Sequence, residues 1–197
     1  MNVTKTISRI KTLLSMGDSG NIAKRYFVMN AFDGALTALG IILGAWLAGI
    51  SDPKTLILAG MGASIAMGVS GGFGAYLTES ALKKEELADF EDAMLENFEN
   101  TLFDEAAKWE SWFVAVVDGI SPFMAGAIAF SPFVLAYSLE WQIGFAYGFA
   151  IILTFFILFL LGAYLGRISK ESIPKSGLKM LIAGIITGLL VMLLEFL

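Results

Sequence analysis

Five stretches of this chain, roughly 26–50, 54–79, 112–138, 142–166 and 177–197, are each long and apolar enough to cross a bilayer as a helix. A crossing needs about 20 apolar residues, and in hydrocarbon the backbone has to satisfy its own hydrogen bonds. Five such runs in 197 residues leave room for little except a helical bundle in lipid. The composition agrees, with 57% hydrophobic and 16% charged residues, against roughly 25% charged in a soluble domain. The expected fold class is an all-α integral membrane protein of five transmembrane helices. Pro53 marks a turn between the first two, Leu139-Glu140-Trp141 a corner between the third and fourth, and Pro174 the opening of the last.

The basic residues orient the bundle. Lys5, Arg9, Lys11, Lys24, Arg25, Lys83, Lys84, Lys108, Arg167, Lys170, Lys175 and Lys179 fall on one side of this topology, and only Lys54 on the other. The positive-inside rule then predicts a cytoplasmic N-terminus and an outside C-terminus, a split that requires an odd number of spans. Residues 1–25 form the first expected region. They lack the continuous apolar core of a signal peptide, and Val3, Ile7, Ile10, Leu13 and Leu14 fall at the spacing of a surface amphipathic helix. The next regions are 26–79 (the first two spans), 80–111 (an acidic cytoplasmic helical hairpin) and 112–197 (the last three spans).

The chain contains no His and no Cys. Thiolate and imidazole metal sites, disulfides and His- or Cys-based catalysis are therefore excluded. No nucleophile–base set is visible, so no enzyme is expected, nor a cofactor or a nucleic-acid partner. Any cation chemistry falls to carboxylate, amide, hydroxyl, carbonyl or thioether groups.

Eleven of the eighteen carboxylates lie between Glu79 and Glu110. Glu85, Asp89, Asp92, Glu96 and Glu99 recur at four- and three-residue steps, which places them on one face of a helix. Leu87, Phe90, Met94, Phe98 and Leu102 form a second, apolar face. This helix is expected to continue the second span and to reverse near Asn100-Thr101, where Thr101 and Asp104 resemble a capping box. Trp109, Trp112 and Phe113 would anchor the third span in an aromatic belt. The acidic face reads equally as a solvated surface or as a collector of hard or borderline divalent cations.

Two carboxylates sit inside spans. Asp33 and Asp118 each lie about seven residues from the cytoplasmic start of a span, roughly 10 Å deep, and each is followed by Gly. A carboxylate at mid-membrane costs about 2.5–3.5 kcal/mol even on lenient scales, and usually marks an ion or proton path. Hydrogen-bonded packing between helices is the alternative. Asn30 and Thr37 share the helical face of Asp33, while Ser121 and Pro122 follow Asp118. In the second span Gly60, Ser64, Gly68 and Gly72 make a ladder suited to close helix packing, with Met67 beside it as a candidate thioether ligand. Gly184 and Gly188 make a similar pair in the last span.

Several of these segments resemble the vacuolar iron transporter family of Fe²⁺/Mn²⁺ exporters. RYFVMNAFDGALTALGIILG places Arg25 eight residues before Asp33-Gly34, as in the family's first helix. VSGGFGAYLTESA (69–81), GAYLGR (162–167), KSGLKMLIAGIITG (175–188) and the Gly126…Pro132 arrangement are similar to later family helices, in order along the chain. The resemblance implies a homodimer with the ion path between protomers, exporting cytoplasmic Fe²⁺ or Mn²⁺ in exchange for protons, with Asp33 as ligand and proton site. The chain departs from the family pattern where a Met would fall, at Gly71, and where a Glu would fall, at Ala63. Met67 and Asp118 are the candidate replacements. The hairpin is shorter than the family's metal-binding insert, and only Glu96-x-x-Glu99 resembles its paired glutamates. The expected setting is a prokaryotic cell membrane. A reading from another class is a non-transporting sensor or scaffold that acts through the acidic hairpin.

Overall fold

The structure, a computed structural model, describes residues 19–95 and 101–196. Residues 1–18 of the expected amphipathic segment 1–25, together with Glu96, Glu99 and Asn100, lie outside the described residues. Five α-helices are present among those described: α1 Ser19–Leu47, α2 Pro53–Met94, α3 Leu102–Leu139, α4 Ile143–Ile168 and α5 Ile173–Leu193, the last followed by a 3₁₀ turn at Leu194–Phe196. Each of the five is long and apolar enough to span a membrane. At 1.5 Å per residue the 42 residues of α2 reach about 63 Å, twice the thickness of a hydrocarbon core. The second span and the start of the acidic connection are thus one rod, as the sequence leads one to expect.

The helix ends follow from local chemistry. Gly49 adopts a left-handed φ of 67°, so that Ile50 N donates to Ala45 O at 3.0 Å and Gly49 N to Trp46 O at 3.0 Å. These are the paired bonds of a Schellman stop. Asp52 then caps α2, its carboxylate accepting from Thr55 N at 3.0 Å and Thr55 Oγ1 at 2.6 Å, with Pro53 in the first turn. Glu140 and Lys170 hold the same left-handed conformation. There Trp141 N reaches back to Ala136 O, and Glu171 N to Gly166 O. α3 begins directly after Thr101, with Asp104 and Glu105 in its first turn.

By internal contacts the chain divides into two units, Met1–Phe27 with Val69–Ile120, and Val28–Gly68 with Ser121–Leu197. The core of the second is built from small residues around two rings. Ala38, Ile42, Ala45, Leu56, Ala129, Ala136, Ala146 and Ala150 surround Phe130 and Phe133, and the edge of Tyr147 meets Phe133 at a centroid distance of 5.1 Å. Tyr147 Oη donates to Ile50 O at 2.7 Å, tying α4 to the α1–α2 turn. The ladder does its packing work against α3: Gly60 lies under the Phe130 ring, and Gly126 faces the Ser64 side chain. α4 and α5 meet the same way, since a Cβ on Gly162 would come within 2.5 Å of Ser176 O, and one on Gly177 within 2.6 Å of Phe159.

In the first unit, Ala23, Ala75, Val114 and Ala115 form the core, with Ile22, Tyr26, Tyr76 and Val117 packed against it. Gly72 lies on the α3 backbone, where its Cβ would stand 3.1 Å from Ala115 O. In both units alanine, glycine and serine are inside, whereas Phe73, Leu77, Phe145 and Ile152 are at least 65% exposed. That inversion is expected where lipid is the solvent and close backbone approach holds the helices together.

Candidate ion site

Asp33 and its Gly neighbour point in different directions, and the reason is steric. Gly34 is buried where α1 crosses α3, with room for no side chain: a Cβ there would stand 2.7 Å from both Cα and O of Pro122. The adjacent residue on a helix points about 100° away, so Asp33 emerges on the open side of α1 and is exposed. Arg25 and Met29 lie above it on the same face and are also exposed. Further along, a Cβ on Gly40 or Gly44 would meet nothing within 4 Å. Asn30 and Thr37 flank the carboxylate and are half-buried. Met67, in the same unit, is half-buried on α2.

Asp118 belongs to the other unit and is 2% exposed. Its Oδ2 would stand 2.8 Å from a Cβ on Gly71. The carboxylate thus fills the space that a side chain at position 71 would need. Glycine there and aspartate at 118 are one steric choice.

Two more carboxylates are buried in the same unit, and the sequence reading passed over both. Glu79 (6% exposed) accepts a hydrogen bond from Tyr26 Oη at 2.9 Å. Glu110 (5% exposed) lies 3.3 Å from Lys83 Nζ through Oε2, and Lys83 also binds Glu86 at 2.9 Å. Glu110 Oε1 has no hydrogen-bond partner among the described residues. A buried carboxylate is tolerated only with a cation or donor at hand, and Lys83 and Tyr26 supply these. The available signal was position: both glutamates stand at the junction of an apolar span with the charged connection. Glu79 is also four residues before Lys83, on the same helical face.

On the distal part of α2, Glu85, Asp89 and Asp92 are exposed, as their spacing leads one to expect for an acidic face. Glu96 and Glu99, which continue that spacing, lie outside the described residues. No group of three or more carboxylates close enough to hold one ion occurs among the described residues.

The sequence matches the VIT family over residues 24–105 and 80–194. It is also 34% identical, over 182 residues, to the uncharacterized protein MJ0645 of Methanocaldococcus jannaschii, covering 91% of this chain and 90% of that protein. That relative is archaeal, in keeping with a prokaryotic membrane. Five apolar helices, an aspartate-glycine pair in the first, and a match that spans the bundle from α1 to α5 lead to one conclusion: the chain is a multi-pass integral membrane protein of the VIT family, a family of divalent metal transporters.

Proposed function

We propose that the protein exports Fe²⁺ or Mn²⁺ from the cytoplasm in exchange for protons, as a homodimer whose metal path follows the open face of α1. The observation that carries this reading is the outward exposure of Asp33. Ionisable groups within spans almost always face a bundle interior or a water-filled cavity, yet in one copy this carboxylate faces neither. A second copy laid against the same face would cover it and bring two Asp33 carboxylates together. Gly40 and Gly44 would let the two α1 backbones approach closely.

Asn30 and Thr37 add amide and hydroxyl oxygens, a donor set suited to Mn²⁺ or Fe²⁺. A carboxylate must lose its proton to ligate metal, so Asp33 couples the two fluxes without a further part. Asp118, seated where Gly71 leaves space, and Met67 are the proposed stand-ins for the family ligands missing at Gly71 and Ala63. The exposed Glu85, Asp89 and Asp92, with Glu96 and Glu99 after them, would gather cations at the cytoplasmic end. That orientation, N-terminus inside and C-terminus outside, rests on the twelve-to-one division of Lys and Arg.

Purified protein in proteoliposomes should pass Fe²⁺ or Mn²⁺ with counter-moving protons, and Asp33→Asn should abolish both. Metal flux unchanged in that variant refutes the mechanism. A second reading, a sensor or scaffold, is favoured by the same exposed α2 carboxylates. It expects calorimetric metal binding that disappears in the Glu85→Gln/Asp89→Asn/Asp92→Asn variant, with no flux in vesicles of the unmodified protein.

A further inference from the structure

The distal half of α2 and the first half of α3 enclose a cavity of about 250 Å³ whose lining differs from everything near Asp33. Three ammonium groups border it: Lys83 and Lys84 from α2, and Lys108 from α3. Among the described residues Asp104 is the one carboxylate on the wall, and it is already bound to Lys108 at 2.8 Å. Lys83 is held by Glu110 and Glu86. Lys84 is exposed and has no ion pair with a described residue. Tyr76 and Trp112 form the remaining wall, their rings tilted at a centroid distance of 4.9 Å.

The depth of this cavity follows from helix geometry. Tyr76 lies 23 residues from Pro53 and Lys84 lies 31, or about 35 and 47 Å along α2. Trp112 lies about 40 Å from Leu139 along α3. With a hydrocarbon core of about 30 Å measured from the other ends of these helices, Tyr76 and Trp112 stand at the headgroup edge of the membrane, and the lysines about two helical turns further out on its aqueous side. Toward the core side, the exposed rings and chains of Phe73, Leu77 and Phe113 continue on the same two helices.

We infer that this cavity binds the phosphate-bearing headgroup of an anionic phospholipid. The lining has a net positive charge, with Lys84 as the uncommitted cation and the exposed Lys108 able to turn from Asp104 toward a phosphate. Lys83 is taken up by the buried Glu110 and by Glu86 and adds nothing to the attraction, which rests on Lys84 and Lys108. The Tyr76–Trp112 pair suits the glycerol region, where amphipathic rings settle. The exposed apolar residues beneath offer a track for the acyl chains. Zwitterionic phosphatidylcholine places its own cation in the same space, so the site discriminates by charge. The inference needs the membrane location alone and is independent of which ion the protein carries.

Native mass spectrometry of the full chain, released from micelles containing equal phosphatidylglycerol and phosphatidylcholine, tests it. The unmodified protein should retain phosphatidylglycerol selectively. Loss of one lysine near an anionic headgroup should weaken retention about fivefold, and loss of two roughly twenty-fivefold. Lys84→Gln/Lys108→Gln should therefore lose the preference, while Lys54→Gln, at the other end of α2, should keep it. Lys84→Glu alone serves as a second variant, since that exposed side chain holds nothing in place, and circular dichroism checks the fold of each. Equal retention of the two lipids by the unmodified protein, or an unchanged preference in both Lys84 variants, overturns the inference. Thermal stabilisation by sn-glycerol 3-phosphate equal to that by phosphatidylglycerol would also overturn it, because the site would then take a free phosphate ester.

Discussion

Replacing Gly34 by Ala adds one carbon atom and tests whether the α1–α3 crossing is what turns Asp33 outward. The new Cβ would lie 2.7 Å from Pro122 Cα and O and 3.0 Å from Pro122 Cβ. Carbon atoms pack best at about 3.5–4.0 Å, so α1 would have to retreat by about 1 Å. Two of the three obstructing atoms are backbone and cannot rotate aside. Overpacking of this kind costs about 1–3 kcal/mol, whereas glycine to alanine inside a helix gains about 1 kcal/mol. A net loss of up to roughly 2 kcal/mol is expected. For a chain of 197 residues that lowers the unfolding midpoint by up to roughly 8 °C, measurable in detergent by the emission of the four tryptophans. Gly148→Ala is the matched control, because a Cβ there meets nothing within 4 Å, and it should be neutral or stabilising. If Gly34→Ala is as stable as Gly148→Ala, the argument for a backbone-to-backbone crossing is wrong.

Further outcomes follow from the same geometry. Since the chain has no cysteine, Gly44→Cys introduces a single thiol on the open face of α1. Oxidation in liposomes should link two copies if their α1 helices come within the roughly 4.4–6.8 Å Cα separation a disulfide needs. Linking no greater than that of Ile152→Cys, on an exposed face of α4, removes the proposed dimer. The hydrogen bond from the Thr55 hydroxyl, joined by those from the Thr55 and Lys54 amides, holds the Asp52 carboxyl below the usual carboxylate range. A depressed folded value means that the cap stabilises fully above the ordinary Asp pKa, and that this contribution disappears as pH falls through the lowered value. Acid titration of stability should therefore be shallower in Thr55→Val, and identical titration curves would contradict the cap.

The bundle was legible because its determinants are local. Run lengths set the number of spans, the step of three and four carried α2 beyond the membrane, and Gly60 and Ser64 marked a packing face that α3 occupies. The site was legible only in part. Periodicity places Asn30, Asp33 and Thr37 together on one side of α1, but it does not say what that side meets. In a soluble helix the apolar stripe points to the core. In these spans every face is apolar, so the pattern carries no such pointer.

Asp33 and Asp118 show the consequence. They look equivalent in the sequence, at the same depth and each before a glycine. Yet one emerges on an open face beside Gly34, while the other is enclosed against Gly71. Glu79 and Glu110 read as members of a charged, solvated connection and are buried, because Tyr26 and Lys83, distant in the chain, come to meet them. The sequence by itself determined a five-span helical membrane protein with carboxylates in its first and third spans. Only the tertiary structure decided which carboxylates are enclosed and which are exposed, since that depends on where glycine lets one backbone approach another.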